Sequence, residues 1–254
     1  MDAATLVAPA DWRRVEFISD LHLSPAQPAT LLAWQHYLRS TRAEAVFILG
    51  DLFEVWVGDD SADASSDGGF EAECTRALRE AAQGRAVFVM HGNRDFLIGA
   101  HWCDACGVRL LPDPTALDAF GHRWLLSHGD ALCLEDREYQ AFRTQVRSAA
   151  WQHEFLSRPL AQRRAIARGL RDASEERKRS ESLWADVDTQ AARNWLAAAH
   201  SRTLIHGHTH RPAEHSLGDG LRRVVLSDWA LDDAPPRAEV MVLNAQGLHR
   251  EPLR

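Results

Sequence analysis

Residues that can bind metal ions follow five short apolar segments of the 254-residue sequence. Each segment is rich in β-branched or aromatic residues and ends at a polar cluster, a pattern typical of a buried strand that opens into a loop. Carboxylate, amide and imidazole groups suit manganese, iron, cobalt or zinc better than they suit calcium. The candidate ligands in these clusters are Asp20, His22, Asp51, Asn93, His128, His208 and His210.

Seven oxygen and nitrogen ligands are too many for one tetrahedral metal ion, but they suit two ions that share a bridging carboxylate. Paired ions lie about 3.5–4 Å apart and lower the pKa of bound water toward neutrality, which yields a hydroxide that can attack phosphorus. Any one of the clusters could be a turn or a surface pair. Their joint occurrence at successive strand ends predicts a dinuclear hydrolytic site.

The segments between these clusters predict an α/β fold. Helical stretches near 28–40 and 69–83 separate the first three strands, and this alternation favours right-handed crossovers and a largely parallel sheet whose carboxyl ends bind ligands. Residues 221–226 and 238–243 are two further strand candidates with no helix between them, which suggests antiparallel pairing. We therefore expect a sandwich of mixed β-sheets flanked by helices.

Residues 135–180 contain no strand pattern and predict a helical cap inserted into a single domain that spans residues 1–254. Between Arg137 and Arg179 there are 11 Lys or Arg and 5 Asp or Glu residues, in a chain whose net charge is −7. A basic helical insertion in an acidic protein favours a cap above an anionic ligand. The alternative is a solvated helical surface that carries ion pairs.

The composition favours a globular cytoplasmic protein. A net charge of −7 argues against a general nucleic-acid coat, and no apolar run is long enough to span a membrane. The first 14 residues do not resemble a signal peptide, so the four cysteines are expected to stay reduced. Cys103-x-x-Cys106 has the spacing of a metal pair, but the lack of a second pair favours packing within a helix.

Together the clusters resemble the five motifs of calcineurin-like metallophosphoesterases over residues 20–210. The motifs are Asp20-x-His22, Gly50-Asp51, Gly92-Asn93-Arg94-Asp95, His128-Gly129-Asp130 and Gly207-His208-Thr209-His210. The resemblance implies the fold of that family, with Asp51 as the ligand that bridges the metals. It divides the other ligands into Asp20, His22 and His210 for one ion and Asn93, His128 and His208 for the second.

Arg94 stands where many members of that family carry a histidine that can protonate a poor leaving group. An arginine cannot donate a proton at neutral pH, but its guanidinium can neutralise charge on a phosphoryl group through two hydrogen bonds. The difference therefore favours a substrate with a good leaving group, such as one phosphate of a pyrophosphate. Alkyl phosphomonoesters would suffer most from the missing acid.

A longer resemblance, to UDP-2,3-diacylglucosamine pyrophosphatases, covers nearly the whole chain. It is carried by Phe17–Ser24, Leu49–Glu54, His91–Phe96, Ser127–Cys133 and Ile205–Pro212, and by the start of the cap. The resemblance implies hydrolysis of UDP-2,3-diacylglucosamine to UMP and 2,3-diacylglucosamine 1-phosphate (lipid X) in lipid A synthesis. It also implies two Mn²⁺ ions, attack of a metal-bridging hydroxide on the uridylyl phosphorus, and peripheral binding to the cytoplasmic face of the inner membrane. Neither a nucleic acid nor an obligate protein partner is expected.

The same resemblance implies which residues act on the substrate. Catalytic roles fall to Asp51, Asn93, Arg94 and His208. Substrate contacts fall to Asn93, Arg94, Asp136, Tyr139, Ser174 and His208. Beyond Ser174 the cap departs from the family, because Lys178 replaces a frequent asparagine and Glu181 replaces a frequent lysine. A carboxylate cannot replace a phosphate-binding cation, so we expect Lys178 or Arg177 to bind the substrate instead.

The acyl chains of such a substrate require an apolar surface. Candidates in the cap are Trp151, Phe155, Leu156, Leu160, Ile166 and Leu170. Packing of these side chains against the body of the protein is the alternative interpretation.

Two other functions stay open at this point. The first is another dimetal phosphodiesterase or nuclease, which would need an open basic groove with stacking aromatics. The second is a non-catalytic metal-binding protein that kept the fold.

Overall fold

Two six-stranded mixed sheets pack face to face in the computed structural model, which describes residues 3–63, 69–180 and 185–253, without the side chains of residues 172–180. The strands are β1 (Ala4–Val7), β2 (Arg14–Ile18), β3 (Ala45–Leu49), β4 (Ala86–Met90), β5 (Arg109–Leu111), β6 (Thr115–Ala119), β7 (His122–Ser127), β8 (Thr203–His206), β9 (Glu214–Gly218), β10 (Leu221–Val225), β11 (Glu239–Asn244) and β12 (Gly247–Pro252). The helices of this part of the chain are α1 (Pro28–Ser40), α2 (Gly69–Ala82), α3 (Ala100–Cys106), α4 (Arg137–Val146), α5 (Ala149–Leu156), α6 (Leu160–Ser180) and α7 (Thr189–Ala198).

The first sheet places β2, β3, β4 and β5 side by side in parallel, and β11 and β12 extend it antiparallel beyond β2. Helices α1, α2 and α3 connect its parallel strands and cover its outer face. The second sheet has the order β1-β6-β7-β8-β10-β9 and carries α7 on its outer face. This layered sandwich of mixed sheets between helices confirms the predicted fold class.

Alternating residues of the central strands separate two cores. Phe47 and Leu49 of β3 pack between the sheets, whereas Val46 and Ile48 pack against the helices. Phe47 stacks on Phe88 of β4, with ring centroids 4.5 Å apart. Because both faces of these strands are buried, the strands are apolar throughout, and the sequence marks them clearly.

Seven strands match segments predicted from the sequence, and five strands do not. The predicted strands β10 and β11 do form antiparallel pairs, but they lie in different sheets and do not pair with each other. Strand β10 pairs with β9, and β11 pairs with β2 and β12. Four of the missed strands, β1, β5, β9 and β12, lie at sheet edges, where a strand is short or partly exposed and its burial pattern is weak.

Helices α4, α5 and α6 occupy the stretch predicted as a cap. Arginines of these helices, and Arg147 directly after α4, pair with carboxylates of the body. The pairs are Arg143 and Arg147 with Asp130, Arg163 with Asp60, Arg164 with Glu71, and Arg171 with Glu54. Much of the positive charge counted in the cap is therefore matched within the protein, as the ion-pair alternative expects.

The apolar residues of the cap divide between packing and exposure. Leu156 and Leu170 are each 42% exposed. The residues that pack against the outer core of the first sheet are Trp151, Phe155, Leu160 and Ile166. Only the two leucines of this set therefore present a large apolar surface to the solvent.

Two further predictions concern the state of the cysteines and the lack of a membrane-spanning segment. All four cysteines are buried and free, and Cys103 and Cys106 lie in α3 against the outer core, as the helix-packing interpretation expects. Within the described ranges, no helix is both long enough and apolar enough to cross a bilayer.

Candidate metal centre

All seven predicted ligands lie on loops that follow the carboxyl ends of strands β2, β3, β4, β7 and β8, where the two sheets meet. Five of them have a positive φ between 47° and 67°, namely Asp20, His22, Asp51, His208 and His210. Residues other than glycine rarely adopt this left-handed region, and such strained conformations cluster at functional sites. The loops are thus bent in a way that turns the side chains toward a common centre.

The first group of predicted ligands consists of Asp20, His22 and His210. His22 Nε2 lies 3.2 Å from His210 Nε2, which in turn lies 3.3 Å from Asp20 Oδ1. The three residues each offer a ligand atom within 4.8 Å of the others. Asp20 is buried, and its Oδ2 accepts hydrogen bonds from the Ser19 hydroxyl at 2.6 Å and from the His208 backbone nitrogen at 2.9 Å. These bonds fix the orientation of the Asp20 carboxylate.

The second group consists of Asn93, His128 and His208. Asn93 Oδ1 lies 2.9 Å from His208 Nδ1 and 3.0 Å from His128 Nε2. The other ring nitrogen of His128, Nδ1, faces the Leu49 carbonyl at 3.0 Å, and this contact turns Nε2 toward the centre. An amide oxygen and two imidazole nitrogens therefore converge on one point.

Asp51 stands between the two groups. Its Oδ2 lies 3.8 Å from His22 Nε2 and 3.8 Å from His128 Nε2. Its Oδ1 accepts a hydrogen bond of 2.8 Å from the backbone nitrogen of Arg94. Asp20, Asp51 and His128 also offer atoms within 4.8 Å of one another, so the two groups are contiguous. Equal distances to one histidine of each group suit a carboxylate that bridges two ions.

Two glycines leave room for the carboxylates. A Cβ on Gly92 would overlap the carboxylate of Asp51, and a Cβ on Gly207 would overlap that of Asp20. Neither glycine has a positive φ, so close approach rather than backbone conformation requires glycine at both positions. Any larger residue would push a carboxylate away from the centre.

The charges of the centre shift the pKa values of its histidines in opposite directions. Burial and the neighbouring His128 lower the pKa of His208 to about 4, so its imidazole is neutral at physiological pH. Burial also opposes the charged form of His128, but Asp51 and Asp20 raise its pKa to about 9. A divalent cation that binds here therefore replaces a proton on His128.

Residues that hold the ligands in place escaped prediction from the sequence. Glu54 Oε2 lies 2.9 Å from His22 Nδ1. The buried Asp95 accepts hydrogen bonds of 2.8 Å from the backbone nitrogens of Leu52 and Gly92. Both carboxylates lie inside the motifs quoted above, but residue type alone does not distinguish a ligand from a residue that supports one.

Guanidinium groups of the body and of the cap meet beside His22. Arg94 Nη1 lies 3.7 Å from Glu54 Oε1, and the Arg94 side chain is only 14% exposed. Arg171 of α6 contacts the same oxygen at 3.0 Å. The centre therefore has a cationic border on the side where Arg94 is expected to bind a phosphate.

The predicted substrate residues of the cap lie at different distances from the centre. The Tyr139 ring lies over the His208 ring, with centroids 6.0 Å apart. Asp136 is exposed and caps α4, since its Oδ1 accepts a hydrogen bond of 2.9 Å from the Tyr139 backbone nitrogen. Ser174, Arg177 and Lys178 belong to α6 with side chains outside the description, and Glu181 lies outside the described residues. The substrate contacts expected of Ser174 and of Lys178 or Arg177 stay predictions.

Comparisons with known proteins agree on one family. A family model described as calcineurin-like phosphoesterase matches residues 13–212. A UDP-2,3-diacylglucosamine hydrolase of Chromobacterium violaceum is 48% identical over 224 residues, which cover 85% of this chain and 90% of that protein. The protein of the same name from Xanthomonas campestris pv. campestris is 44% identical over 250 residues, which cover 93% of this chain and 98% of that protein.

Among solved structures, an archaeal phosphodiesterase covers 94% of this chain and 99% of its own, with a TM-score of 0.46 and 11% sequence identity. The family model and the curated relatives each span most of the sequence. This chain belongs to the calcineurin-like phosphoesterase family.

Proposed function

We propose that this protein hydrolyses the pyrophosphate bond of UDP-2,3-diacylglucosamine to UMP and 2,3-diacylglucosamine 1-phosphate, and so acts in lipid A synthesis. The names of relatives at 42–48% identity support the substrate. The observation that carries the chemistry is the position of Asp51, whose Oδ2 lies 3.8 Å from a histidine of each ligand group. Such a carboxylate suits a dinuclear centre, the type of site that hydrolyses phosphate bonds with metal-activated water.

The donor set fits two divalent ions. One ion would bind to Asp20, His22 and His210, the other to Asn93, His128 and His208, and both to Asp51. Oxygen and imidazole donors without sulfur suit manganese, and we propose Mn²⁺ for both positions. When bound, the ions act as Lewis acids toward the phosphoryl oxygens and lower the pKa of the attacking water.

The residues of the centre orient the phosphoryl group in this proposal. His208 is neutral and directs Nδ1 into the centre, so its Nε2 keeps a proton that can be donated to a phosphoryl oxygen. The Asn93 oxygen faces two histidines, and in this proposal its amide nitrogen donates to the substrate. Arg94 adds two parallel donors and a positive charge that stabilises the charge developing on the phosphoryl oxygens.

The leaving group in this proposal is a sugar phosphate. We place the attack of water at the uridylyl phosphorus, with 2,3-diacylglucosamine 1-phosphate departing in line. A phosphate leaves readily without a proton, so a cationic arginine in place of a histidine acid is sufficient. The identity of residue 94 therefore favours a phosphoanhydride as the substrate.

The lipid part of the substrate suggests where the protein works. Leu156 on α5 and Leu170 on α6 are exposed. Arg158 follows Leu156 two residues later, and Arg171 follows Leu170 directly. We propose that they contact the acyl chains while the protein binds peripherally to the anionic cytoplasmic face of the inner membrane.

Phosphorus NMR of the products formed in oxygen-18 water tests this function on the Mn²⁺-loaded protein. The expected result is oxygen-18 in UMP alone. Label only in the sugar phosphate would contradict the proposed site of attack. Hydrolysis of an aryl phosphodiester without hydrolysis of the UDP-lipid would favour a different phosphodiesterase, and an inert protein would favour a binding function.

A further inference from the structure

A buried carboxylate outside the seven ligands joins the cap to the metal centre. Asp130 begins a short 3-10 helix between β7 and α4, two residues after His128. Its Oδ2 accepts hydrogen bonds from the Tyr139 hydroxyl at 2.5 Å and from Arg143 Nε at 2.8 Å, and Arg147 Nη2 lies 3.5 Å away. The spacing of four residues places these partners on one face of α4 and its C-terminal end.

The same helix also contacts a second ligand loop. Arg147 Nη2 donates a hydrogen bond of 2.8 Å to the carbonyl of Gly92, the residue before Asn93. Gln140 Nε2 donates to the Asp130 carbonyl at 2.8 Å. Helix α4 is therefore fixed against the loops that follow β4 and β7, and the Asp130 carboxylate supplies the negative charge at this junction.

Tyr139 connects Asp130 to a predicted metal ligand. Its ring is inclined by only 28° to the His208 ring, and the ring centroids are 6.0 Å apart. The hydroxyl at one end of Tyr139 is bound to Asp130, while its ring lies beside the His208 imidazole. In this orientation His208 Nδ1 faces Asn93 Oδ1 at 2.9 Å.

We propose that Asp130 is a positioning residue for hydrolysis, which holds the His208 imidazole in its reactive orientation through Tyr139. This inference rests on the proposed function. It assigns the Tyr139 hydroxyl to Asp130 rather than to the substrate. Loss of either partner therefore lowers kcat and leaves KM nearly unchanged, because the interaction supports the reaction rather than substrate binding.

A double-mutant cycle of Asp130→Asn and Tyr139→Phe tests the pair. Both substitutions preserve the shape of the side chain and remove a charge or a hydroxyl. The matched control is Tyr37→Phe, because the Tyr37 hydroxyl donates to the buried Glu16 carboxylate at 2.7 Å, away from the ligand loops. kcat and KM are measured on the Mn²⁺-loaded proteins with UDP-2,3-diacylglucosamine and with bis(4-nitrophenyl) phosphate.

Asp130→Asn is expected to lower kcat about tenfold and Tyr139→Phe about threefold on both substrates, with KM changed by less than about twofold. The combined variant is expected to fall no further than Asp130→Asn, because both substitutions remove the same interaction. Tyr37→Phe is expected to retain the wild-type kcat, since its hydroxyl–carboxylate pair does not contact the centre.

A spectroscopic measurement on the metal-free protein reports the contact directly. The chain has two tyrosines, so carbon-13 at the ring carbon that bears the hydroxyl gives two NMR signals, which the two Tyr→Phe variants assign. Asp130→Asn is expected to shift the Tyr139 signal and to leave the Tyr37 signal in place. An unshifted Tyr139 signal would overturn the inference.

Three kinetic results would also overturn it. These are an unchanged kcat in Asp130→Asn, a rise in KM that accounts for the lost efficiency, and a loss in Tyr37→Phe as large as that in Tyr139→Phe. Failure of the proposed function alone would give a distinct result. The wild-type protein would then hydrolyse only the aryl diester, and on that substrate Asp130→Asn and Tyr139→Phe would still be slower than Tyr37→Phe. A wild-type protein inert toward both substrates would refute both proposals.

Discussion

Strand β2 carries one buried carboxylate within the strand, Glu16, and another just beyond its carboxyl end, Asp20, and the two are held in different ways. Glu16 accepts hydrogen bonds from Arg14 at 2.5 Å and from the Tyr37 hydroxyl at 2.7 Å. Asp20 instead faces His210 at 3.3 Å. A permanent cation neutralises the first carboxylate, whereas the cationic partners of the second are histidines that can give up their protons.

The backbone and the neighbouring charges widen this difference. Asp20 has a φ of 53°, whereas Glu16 has no such strained conformation. Beyond the strand ends, burial and the proximity of Asp51 raise the pKa of Asp95 to about 6, which shows how closely the carboxylates are crowded. Such crowding costs stability unless a cation neutralises it. A carboxylate whose charge is paired within the protein, such as Glu16, stabilises the fold. A strained cluster of carboxylates and histidines is instead suited to bind ions.

The largest expected effect separates these two kinds of carboxylate. Asp51→Asn is expected to lower kcat by at least ~1,000-fold, because it removes charge from the residue that lies between the two ligand groups. Glu16→Gln is expected to keep kcat within about twofold but to lower the free energy of unfolding by about 1–3 kcal/mol, because it weakens buried charge-assisted hydrogen bonds. Steady-state kinetics and urea unfolding measure the two quantities. A large loss of kcat in Glu16→Gln would contradict the difference in role between Glu16 and the carboxylates of the centre.

A second prediction concerns the cation at the border of the centre. Arg94→Lys keeps the charge but loses the two parallel donors, so kcat is expected to fall roughly 100-fold. The control is Arg109→Lys, because Arg109 lies over the Phe88 ring at the start of β5 and does not contact a ligand loop. Kinetics with UDP-2,3-diacylglucosamine measure both variants. Equal activity of Arg94→Lys and the wild type would mean that charge alone, without geometry, is sufficient at residue 94.

The ligand loops could be predicted from the sequence because each follows a strong local signal. The apolar strand β3 runs directly into Gly50-Asp51, and the parallel arrangement of β2, β3 and β4 brings their carboxyl ends to one edge. The edge strands could not be predicted in this way. For instance, β9 contains Glu214 and Ser216, and its position depends on pairing with β10 rather than on its own composition.

The supporting residues escaped prediction because their roles depend on distance rather than on type. Asp130 lies in a motif visible in the sequence, but its partners belong to a helix whose docking no local pattern determines. The charge count of the cap does not show which arginines already have partners, for the same reason. Arg163 and Arg171 contribute to that count, yet both pair with carboxylates of the body.

A third prediction uses the protons on the ligand histidines. Burial alone would lower the pKa of His128 and His22, but the surrounding carboxylates raise the first to about 9 and raise the second above its ordinary value. At neutral pH His128 therefore carries a proton in the metal-free protein, and an ion must displace it. Mn²⁺ affinity is expected to rise about tenfold per pH unit for each displaced proton and to level off above a pH of about 9.

Titration calorimetry in two buffers of different ionisation enthalpy counts these protons. His128→Asn is expected to release about one proton fewer than the wild type at neutral pH. A matched change at His249, which pairs with Glu251 on β12, is expected to leave the proton count unchanged. Binding without proton release would mean that the histidines of the centre are already neutral in the metal-free protein.

The smallest expected effect concerns the support of one ligand. Glu54 Oε2 lies 2.9 Å from His22 Nδ1, and Glu251 Oε1 lies 3.1 Å from His249 Nε2 on the edge strand β12. Burial opposes the charge of Glu54, but His22 lowers its pKa to about 2, so Glu54 is ionised at any pH at which the enzyme would be assayed. A carboxylate on Nδ1 of a histidine favours the tautomer that offers Nε2 to a metal ion.

Glu54→Gln keeps the shape of this support and removes its charge, so Mn²⁺ affinity is expected to fall about tenfold. Glu251→Gln removes the charge from a similar histidine–glutamate pair away from the centre and is expected to leave the affinity within about twofold. Calorimetry at one pH compares the two variants. If Glu54→Gln bound Mn²⁺ as tightly as the wild type, the orientation of His22 would have to come from its backbone, whose φ is 47°. The difference between the centre and the rest of the sheet would then lie in backbone geometry rather than in charge.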